Sequence, residues 1–226
     1  MRAQDSPQIA FFDLDDTLLK GFSGFWSALH LVKTGRMTFG SIATSMRHIV
    51  AYKLQRADYG AILADGLKPW IGAHREDLAA VSRECFKAVL EPRLFRGGIQ
   101  LVEAHRSRGT TVVLLSSTSP FLLEEVGRHL QCDDVIATRF VFEGDHLTDR
   151  LDGPLVFGDG KRDAADTYAK ARGITLNECA FYSDSASDLP LLRVVGHPRA
   201  VNPDCVLAKE SRKNGWPVIE FRRTVG

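Results

Sequence analysis

The chain has 226 residues, a formal net charge of +1 at pH 7, 44% hydrophobic residues and 25% charged residues. These values exclude disordered, collagen-like and disulfide-scaffold proteins and indicate a globular protein. A chain of this length can form one domain with a sizeable insertion and bury roughly 70% of the surface of its unfolded form. Composition alone identifies no function.

Targeting and redox features predict a cytoplasmic protein. Residues 1–10 are polar and lack the basic and apolar regions of a signal peptide. The longest apolar-leaning stretch, between Lys20 and Lys33, is too short for a membrane-spanning helix of about 20 residues. The cysteines show neither a C-x-x-C pair nor zinc-finger spacing, so we expect them to be reduced: Cys85, Cys132, Cys179 and Cys205.

Residues 20–57 contain no Asp or Glu and are locally cationic. Their basic residues are Lys20, Lys33, Arg36, Arg47, Lys53 and Arg56. A solvent-exposed helix face is one interpretation, and attraction of an anionic substrate or of a membrane surface is the other. Because this segment has no nucleic-acid-binding motif and the overall charge is near neutral, we expect no nucleic-acid partner.

The order of predicted elements indicates an α/β fold. Residues 8–12 form a short apolar run ending at Asp13, which predicts a buried parallel strand. From about residue 20 to 96 apolar residues recur at helical spacing between glycines, which predicts several helices. Strands are predicted at 110–115, 135–137, 180–182, 200–201 and 218–221, helices at 99–107, 121–130, 161–172 and 189–194, and a hairpin at 140–151. This alternation predicts a parallel sheet covered on both faces.

Acidic residues follow the first predicted strand, in the sequence Asp13-Leu14-Asp15-Asp16-Thr17. Ligands of open α/β sheets bind at the carboxyl ends of strands. Carboxylates this close repel one another, and a divalent cation would offset that repulsion. Magnesium takes about six oxygen ligands, usually from one or two carboxylates, water and substrate phosphate. A solvent-facing acidic turn is the alternative.

A second acidic loop, from Asp184 to Asp188, follows the strand predicted at 180–182. One of its carboxylates could bind a metal directly while the other orients the metal's water ligands. For Asp188 alone, helix N-capping is the alternative. Two acidic loops that each follow a strand favour a metal site.

Two further motifs could bind phosphate. A buried strand runs into the hydroxyl-rich segment 116–119 before Pro120, where backbone N–H groups and a serine hydroxyl could hold phosphate oxygens. Capping of the following helix is the alternative role for these serines. Lys161, in Gly158-Asp159-Gly160-Lys161, could neutralise phosphate charge at the start of a helix. Most lysines at helix starts have no catalytic role, so this assignment depends on the motif order.

In this order the motifs D-x-D-x-T, strand-Ser, Lys and D-S-x-x-D resemble the haloacid dehalogenase-like (HAD) phosphohydrolases over nearly the whole chain. The inserted helical segment looks like the cap of the phosphoserine-phosphatase-like branch, and residues 182–192, 195–198 and 202–204 look like bacterial members. The resemblance implies a Rossmann-like doubly wound parallel sheet. It divides the chain into a core of residues 1–19 and 97–226 and a helical cap of residues 20–96.

The resemblance also implies roles for individual residues. Asp13 would be the nucleophile and Asp15 the general acid and then base. Magnesium would be held by Asp13, the main-chain carbonyl of Asp15, and Asp184, with Asp188 in support. The remaining assignments are Thr17 orienting the first loop, Ser117 and Thr118 binding phosphate with Ser116 as an alternative hydroxyl, and Lys161 contacting phosphate and nucleophile. An aspartyl phosphate splits the hydrolysis of a small-molecule phosphate ester into two displacements.

Two departures from the family pattern argue against phosphoserine as substrate. Phosphoserine phosphatases usually carry a glutamate nine residues past the nucleophile, where this chain has Phe22, and a Ser-Gly-Gly where it has residues 117–119. Relatives in this branch act on histidinol phosphate and on other small or amphiphilic phosphates. A phosphotransferase and a catalytically silent binding module are the alternatives to a phosphatase.

Several aromatic and apolar residues stand at helical spacing at the start of the predicted cap: Phe22, Phe25, Trp26 and Leu29. Such residues more often pack in a core than contact a ligand, so we expect them to pack within the cap. If some of them line the pocket instead, they favour a leaving group with an apolar or aromatic portion, and a lipid-like or nucleotide-like phosphate.

Overall fold

The computed structural model describes residues 6–38, 40 and 59–226. Its strands are β1 Ile9–Phe12, β2 Thr111–Leu115, β3 Asp134–Ile136, β4 Phe140–Glu143, β5 His146–Leu151, β6 Cys179–Ser183, β7 His197–Val201 and β8 Val218–Ile219. Its α-helices are α1 Ser23–Lys33, α2 Tyr59–Leu67, α3 Arg75–Cys85, α4 Arg96–Arg106, α5 Pro120–Leu130, α6 Asp159–Lys170, α7 Leu189–Leu192 and α8 Cys205–Asn214. Three basic residues of the cationic segment lie outside the described residues: Arg47, Lys53 and Arg56.

The main sheet of the described residues has six strands in the order β3-β2-β1-β6-β7-β8. All of its strand pairs are parallel. From β1 the chain moves outward through β2 and β3, then returns to the other side of β1 as β6. The order therefore reverses between β1 and β6, which is where open α/β sheets bind ligands. The predicted doubly wound parallel sheet is confirmed.

Strand β1 is buried on both faces, as its continuous apolar sequence predicts. Ala10 and Phe12 point to the face covered by α4 and α5. Ile9 and Phe11 point to the opposite face, covered by α6, α7 and α8. Since successive side chains of a strand alternate between faces, this one strand anchors both halves of the core.

Helix α6 and strand β8 differ from their predicted extents. Helix α6 begins at Asp159 rather than at residue 161, so Lys161 lies inside its first turn. The last closing strand stops at Ile219. Phe221 leaves the strand because its N–H donates to the side-chain oxygen of Asn202 (2.8 Å) and its ring packs over Gly97. A Cβ at position 97 would lie 2.5 Å from that ring, so glycine permits this contact.

The helical segment between β1 and β2 leaves and rejoins the sheet through two paired stretches of chain. The N–H of Lys20 donates to the carbonyl of Arg93 (2.9 Å), and the N–H of Phe95 donates to the carbonyl of Leu18 (2.8 Å). We call these stretches, residues 18–20 and 93–95, the linker ribbon. Residues 223–226 lie along its outer side, where the N–H of Val225 donates to the carbonyl of Leu94 (3.0 Å).

The helical segment also contacts the β4-β5 hairpin. Leu78 of α3, Phe121 of α5 and Leu147 of β5 form a buried apolar cluster, with partly buried Trp70 and Phe140 packed against it. Backbone hydrogen bonds join the same elements, from the N–H of Gly72 to the carbonyl of Leu147 (2.8 Å). The linker ribbon and this cluster therefore both hold the helical segment against the rest of the fold.

All four cysteines are free, as expected. Within the part of the chain that the structure describes, no helix is both long and apolar enough to span a membrane.

His105 of α4 is buried beneath the sheet beside β6. Its Nε2 lies 2.8 Å from the hydroxyl of Tyr182, and its ring meets the Phe12 ring edge-on. Burial is the main cause that lowers the pKa of His105 to about 4, and nearby arginines add to it. The imidazole is therefore neutral in the folded protein at neutral pH.

We predict that this histidine destabilises the fold in mild acid. Its pKa is lower in the folded state than in the unfolded state, so the unfolded chain binds the extra proton between pH 6.5 and 4. The free energy of unfolding should be unaffected by this group above pH 6.5 and fall by about 2 kcal/mol at pH 5. Urea unfolding of wild type and His105→Gln measures this, because the variant lacks the titrating group. Equal losses between pH 8 and pH 5 in both proteins would contradict the prediction.

Candidate active site

Asp13 is the first residue after β1, and its N–H donates to the carbonyl of Tyr182 (3.0 Å). This bond extends the β1–β6 ladder by one residue, so the carboxylate stands at the point where the strand order reverses. The residue is 6% exposed. Its Oδ1 lies 3.0 Å from the Nζ of Lys161 but has no partner in hydrogen-bond geometry. Asp13 is therefore a nearly buried anion beside one cation.

Lys161 reaches this carboxylate from the first turn of α6. Gly158 has a positive φ of 55°, and a Cβ at Gly160 would lie 1.8 Å from the carbonyl oxygen of Leu155. Only glycine fits the second position without moving the backbone, which explains the glycines on either side of Asp159. The tight turn delivers Lys161 to the interior, where it is 2% exposed.

Asp188 is the second anion beside Lys161. Its Oδ2 accepts from Nζ of Lys161 (2.8 Å) and from the hydroxyl of Ser183 (2.7 Å). Burial raises the pKa of Asp188, and the ammonium of Lys161 opposes that shift. Asp188 precedes α7 but makes no side-chain capping bond, so N-capping does not explain it.

Asp184 follows β6 and faces the first loop. Its Oδ1 accepts from the hydroxyl of Thr17 (3.2 Å). Burial raises the pKa of Asp184 well above its ordinary value, and the negative charge of Asp13 raises it further. The loop is braced by Asp204, whose N–H donates to the carbonyl of Asp184 (2.8 Å) and whose carboxylate accepts from the N–H of Ala186 (2.8 Å).

Asp15 is held by the beginning of α1. The N–H of Ser23 donates to its Oδ1 (2.8 Å), and the Ser23 hydroxyl donates to its Oδ2 (3.2 Å). The Thr118 hydroxyl is 3.4 Å from the same Oδ2 and 3.0 Å from the Ser23 hydroxyl. Burial raises the pKa of Asp15 to about 7, although the Ser23 N–H opposes the shift.

Asp16 belongs to the loop rather than to the site. Its φ is 52°, and its Oδ1 accepts from the N–H of Gly21 (2.7 Å). Its carbonyl accepts from the side-chain amide of Asn202 (3.2 Å). Of the three carboxylates that follow β1, this one closes the turn that leads toward α1.

The hydroxyl segment after β2 lies opposite these carboxylates. The Ser116 hydroxyl oxygen is buried and accepts from the N–H of Thr118 (3.3 Å). Ser119 precedes α5 without a side-chain capping bond, so capping does not account for it. Ser117 is partly exposed and lines the same cavity as Asp13.

The residues fit a divalent cation. Asp13 Oδ1 is buried and has no hydrogen-bond partner, and Asp184 carries a raised pKa beside it. These are the properties of carboxylates whose mutual repulsion a cation would relieve. Among the described residues no three His, Cys, Asp or Glu side chains group as a metal site on their own. A set of two carboxylates, one main-chain carbonyl and water needs no third side chain.

A cavity of about 820 Å³ opens above the carboxylates. Phe22 and Phe25 line it, which corrects the expectation that they pack within the cap. Trp26 does not line it, because its indole N–H donates to the carbonyl of Lys20 (3.2 Å) and its ring lies 3.8 Å from the guanidinium of Arg93. The start of α1 therefore faces the cavity with Phe25 and with Phe22, the residue before the helix, and faces the linker ribbon with Trp26.

The sequence assigned no individual role to three residues that position the others, although two of them lie in segments that resemble bacterial family members: Ser23, Ser183 and Asp204. Ser183 precedes the Asp184 motif directly, and a hydroxyl at the end of a predicted strand was the available signal. Asp204 stands one residue before α8, whose start it caps through the N–H groups of Val206 and Leu207. Ser23 gave no signal, since it belongs to no recognised motif and its partners, Asp15 and Thr118, lie in two different loops.

Comparison with known proteins agrees with this geometry. The family model for haloacid dehalogenase-like hydrolases matches residues 10–193. The chain is 32% identical to a histidinol-phosphatase of Neisseria meningitidis serogroup C (strain 8013), over 95% of this chain and 99% of that protein. It is 28% identical to a protein with unknown function from Bordetella pertussis Tohama I. The crystal structure of that protein superposes with a TM-score of 0.84 and covers 95% of this chain and 98% of that one.

A phospho-aspartyl intermediate analogue of phosphoserine phosphatase shares the fold, with 16% identity, a TM-score of 0.71 and coverage of 98% of this chain and 96% of that one. The family model spans most of the core and the whole helical segment between β1 and β2. The chain therefore belongs to the haloacid dehalogenase-like hydrolase family and is a phosphatase.

Proposed function

We propose that the chain hydrolyses a small-molecule phosphate monoester, with Mg²⁺ as cofactor, through an acyl phosphate formed on the Asp13 carboxylate. The observation that carries the proposal is the placement of Asp13. A nearly buried carboxylate lies 3.0 Å from the buried Lys161 ammonium at the reversal of strand order, and a cavity opens above it. Ligands of open α/β sheets bind at this position.

The first displacement joins an Asp13 carboxylate oxygen to phosphorus and breaks the bond between phosphorus and the ester oxygen. Asp15 gives its proton to the departing oxygen. In the second displacement the ionised Asp15 takes a proton from the water that attacks phosphorus, which releases phosphate and restores Asp13. A pKa of about 7 suits a group that acts first as acid and then as base.

The remaining residues bind and orient these groups. Asp13, the main-chain carbonyl of Asp15, and Asp184 would hold Mg²⁺, which supplies positive charge against the phosphoryl oxygens. Lys161 would contact the phosphate, and the Ser183-Asp188 pair fixes its ammonium group. The hydroxyls of Ser117 and Thr118 would meet the phosphate from the β2 side. Residues 20–96 would act as the cap over residues 1–19 and 97–226.

The first prediction concerns the nucleophile and the metal. Phosphate release from p-nitrophenyl phosphate should require Mg²⁺, stop on addition of a chelator, and fall by about 10³-fold or more in Asp13→Asn. Acid quenching during turnover should trap phosphoprotein in wild type only. The matched control is Asp163→Asn, which changes an exposed carboxylate of α6 paired with Arg162 and should stay within about twofold of wild type. Full activity in Asp13→Asn would refute the mechanism.

The second prediction separates the two candidate phosphate-binding serines. Ser117→Ala should lower kcat about a hundredfold, the usual effect of removing one donor to transition-state charge. Ser116→Ala should lower kcat less than about fivefold and reduce stability by about 1 kcal/mol, since its hydroxyl accepts from the Thr118 N–H. Steady-state kinetics and thermal unfolding of both variants show which serine binds phosphate. A larger loss of kcat in Ser116→Ala than in Ser117→Ala would assign that role to Ser116.

The third prediction concerns Ser23, which positions Asp15 without touching phosphate. Ser23→Ala removes one hydrogen bond to the carboxylate but keeps the backbone N–H bond to Oδ1. We expect kcat to fall about tenfold at unchanged KM, from the loss of one hydrogen bond to a charged group. Ser23→Thr retains the hydroxyl and should recover most of the rate. A threonine variant as slow as the alanine variant would show that the hydroxyl does not position Asp15.

A further inference from the structure

The walls of the cavity differ in chemistry from its floor. The floor contains the carboxylates and Lys161, whereas the walls above it are dominated by apolar side chains contributed by both the helical segment and the core. Representative wall residues are Phe22, Phe25, Leu67, Trp70, Phe121 and Leu147. The far wall includes the apolar cluster in which the helical segment meets the β4-β5 hairpin. A molecule that fills the cavity therefore has a charged end at the floor and an apolar end above it.

Charge on the described walls is confined to one pair. Apart from the floor, the charged residues among the described lining residues are Asp65 and Lys68, whose side chains form an ion pair at 2.7 Å. The Lys68 side chain is 70% exposed, so the pair stands at the solvent side. A leaving group with an ammonium or a carboxylate would lose its hydration against apolar walls, which is costly without a compensating partner. The described walls select against charge on the leaving group.

The size of the cavity also argues for a large leaving group. A water molecule occupies about 30 Å³ of the liquid, so about 820 Å³ far exceeds the needs of a phosphate on a three-carbon backbone. A small substrate would leave many waters against the apolar walls. Sites of this volume usually bury a drug-sized ligand, and burial of apolar surface there favours binding.

We propose that the preferred substrate is a phosphate monoester with an uncharged, apolar leaving group of about six carbons or more. This inference rests on the proposed phosphatase function and concerns the same site. The phosphate lies at the floor against Asp13 and Lys161, and the leaving group extends between the phenylalanines at the start of α1 and the far cluster of Leu78, Phe121 and Leu147. The apolar portion can be a linear chain or a ring.

The test is a series of primary alkyl phosphates, from ethyl through butyl to hexyl phosphate, assayed with Mg²⁺. Their leaving alcohols have nearly the same acidity, so kcat/KM reports contacts with the chain. Burial of each methylene can contribute a factor of up to about four, and we expect kcat/KM to rise at least about tenfold from ethyl to hexyl. Phosphoserine and histidinol phosphate should be poorer substrates than hexyl phosphate. Hexyl phosphate compared with 2-phenylethyl phosphate tells a chain from a ring.

A pair of shape-conserving variants locates the effect. Val81 lines the cavity, whereas Val89 is also partly buried but lies outside it, and both pack against the same core. Val81→Thr replaces a methyl group of the wall with a hydroxyl and should reduce the ratio of hexyl to ethyl kcat/KM about threefold or more. Val89→Thr should leave the ratio unchanged. Equal ratios in the two variants would place the selectivity elsewhere and overturn the assignment of this wall.

Failure of the inference is distinguishable from failure of the function. If ethyl and hexyl phosphate are hydrolysed equally well, or phosphoserine is preferred, the inference is wrong and the phosphatase function stands. If none of the esters is hydrolysed, the proposed function fails, and calorimetry with ethyl- and hexylphosphonate still tests the apolar site. Tighter binding of hexylphosphonate with a more negative heat-capacity change would support that site, and equal binding would overturn it.

Discussion

The ammonium group of Lys161 lies between two buried carboxylates, 3.0 Å from Asp13 and 2.8 Å from Asp188. Asp15 and Asp184 are buried at the same sheet edge, and the pKa of each is raised. One cation cannot neutralise four such groups, and unpaired charge in the interior is expensive. The excess negative charge of these carboxylates therefore favours binding of protons and cations at this edge of the sheet. The surrounding strands and loops must hold the carboxylates together despite their mutual repulsion.

The surrounding contacts divide these carboxylates by function. The Ser183 hydroxyl and the Lys161 ammonium both donate to Asp188, so this carboxylate fixes the position of the lysine side chain. The Thr17 hydroxyl donates to Asp184, which lies close enough to Asp13 for the charge of Asp13 to raise its pKa. Asp15 is bound by a residue of α1, and its proton affinity therefore depends on a contact between the helical segment and the core. Four like groups thereby occupy four different environments.

The sequence was sufficient to predict the sheet and the gathering of charge, because strand ends in a parallel sheet lie at one edge whatever the loop lengths are. Helical periodicity could not tell whether the apolar face of α1 meets a core or a cavity, so Phe22 and Phe25 were misplaced. Ser23 holds Asp15, eight residues before it, and contacts Thr118, 95 residues after it, and no helical or strand periodicity encodes these two side-chain contacts. For Asp188 the sequence left support of the metal and helix N-capping open, and it could not show the contact with Lys161, because that contact depends on how deep the lysine lies.

The linker ribbon has an evolutionary consequence. Both crossings between sheet and helical segment run side by side, bonded through the backbone atoms of residues 18–20 and 93–95. Backbone pairing places few demands on side chains, so the helices between the crossings can diverge, lengthen or be exchanged while the reactive carboxylates keep their positions. Substrate specificity can therefore change through mutations in one contiguous stretch of the gene, while the reacting groups on the sheet are inherited unchanged.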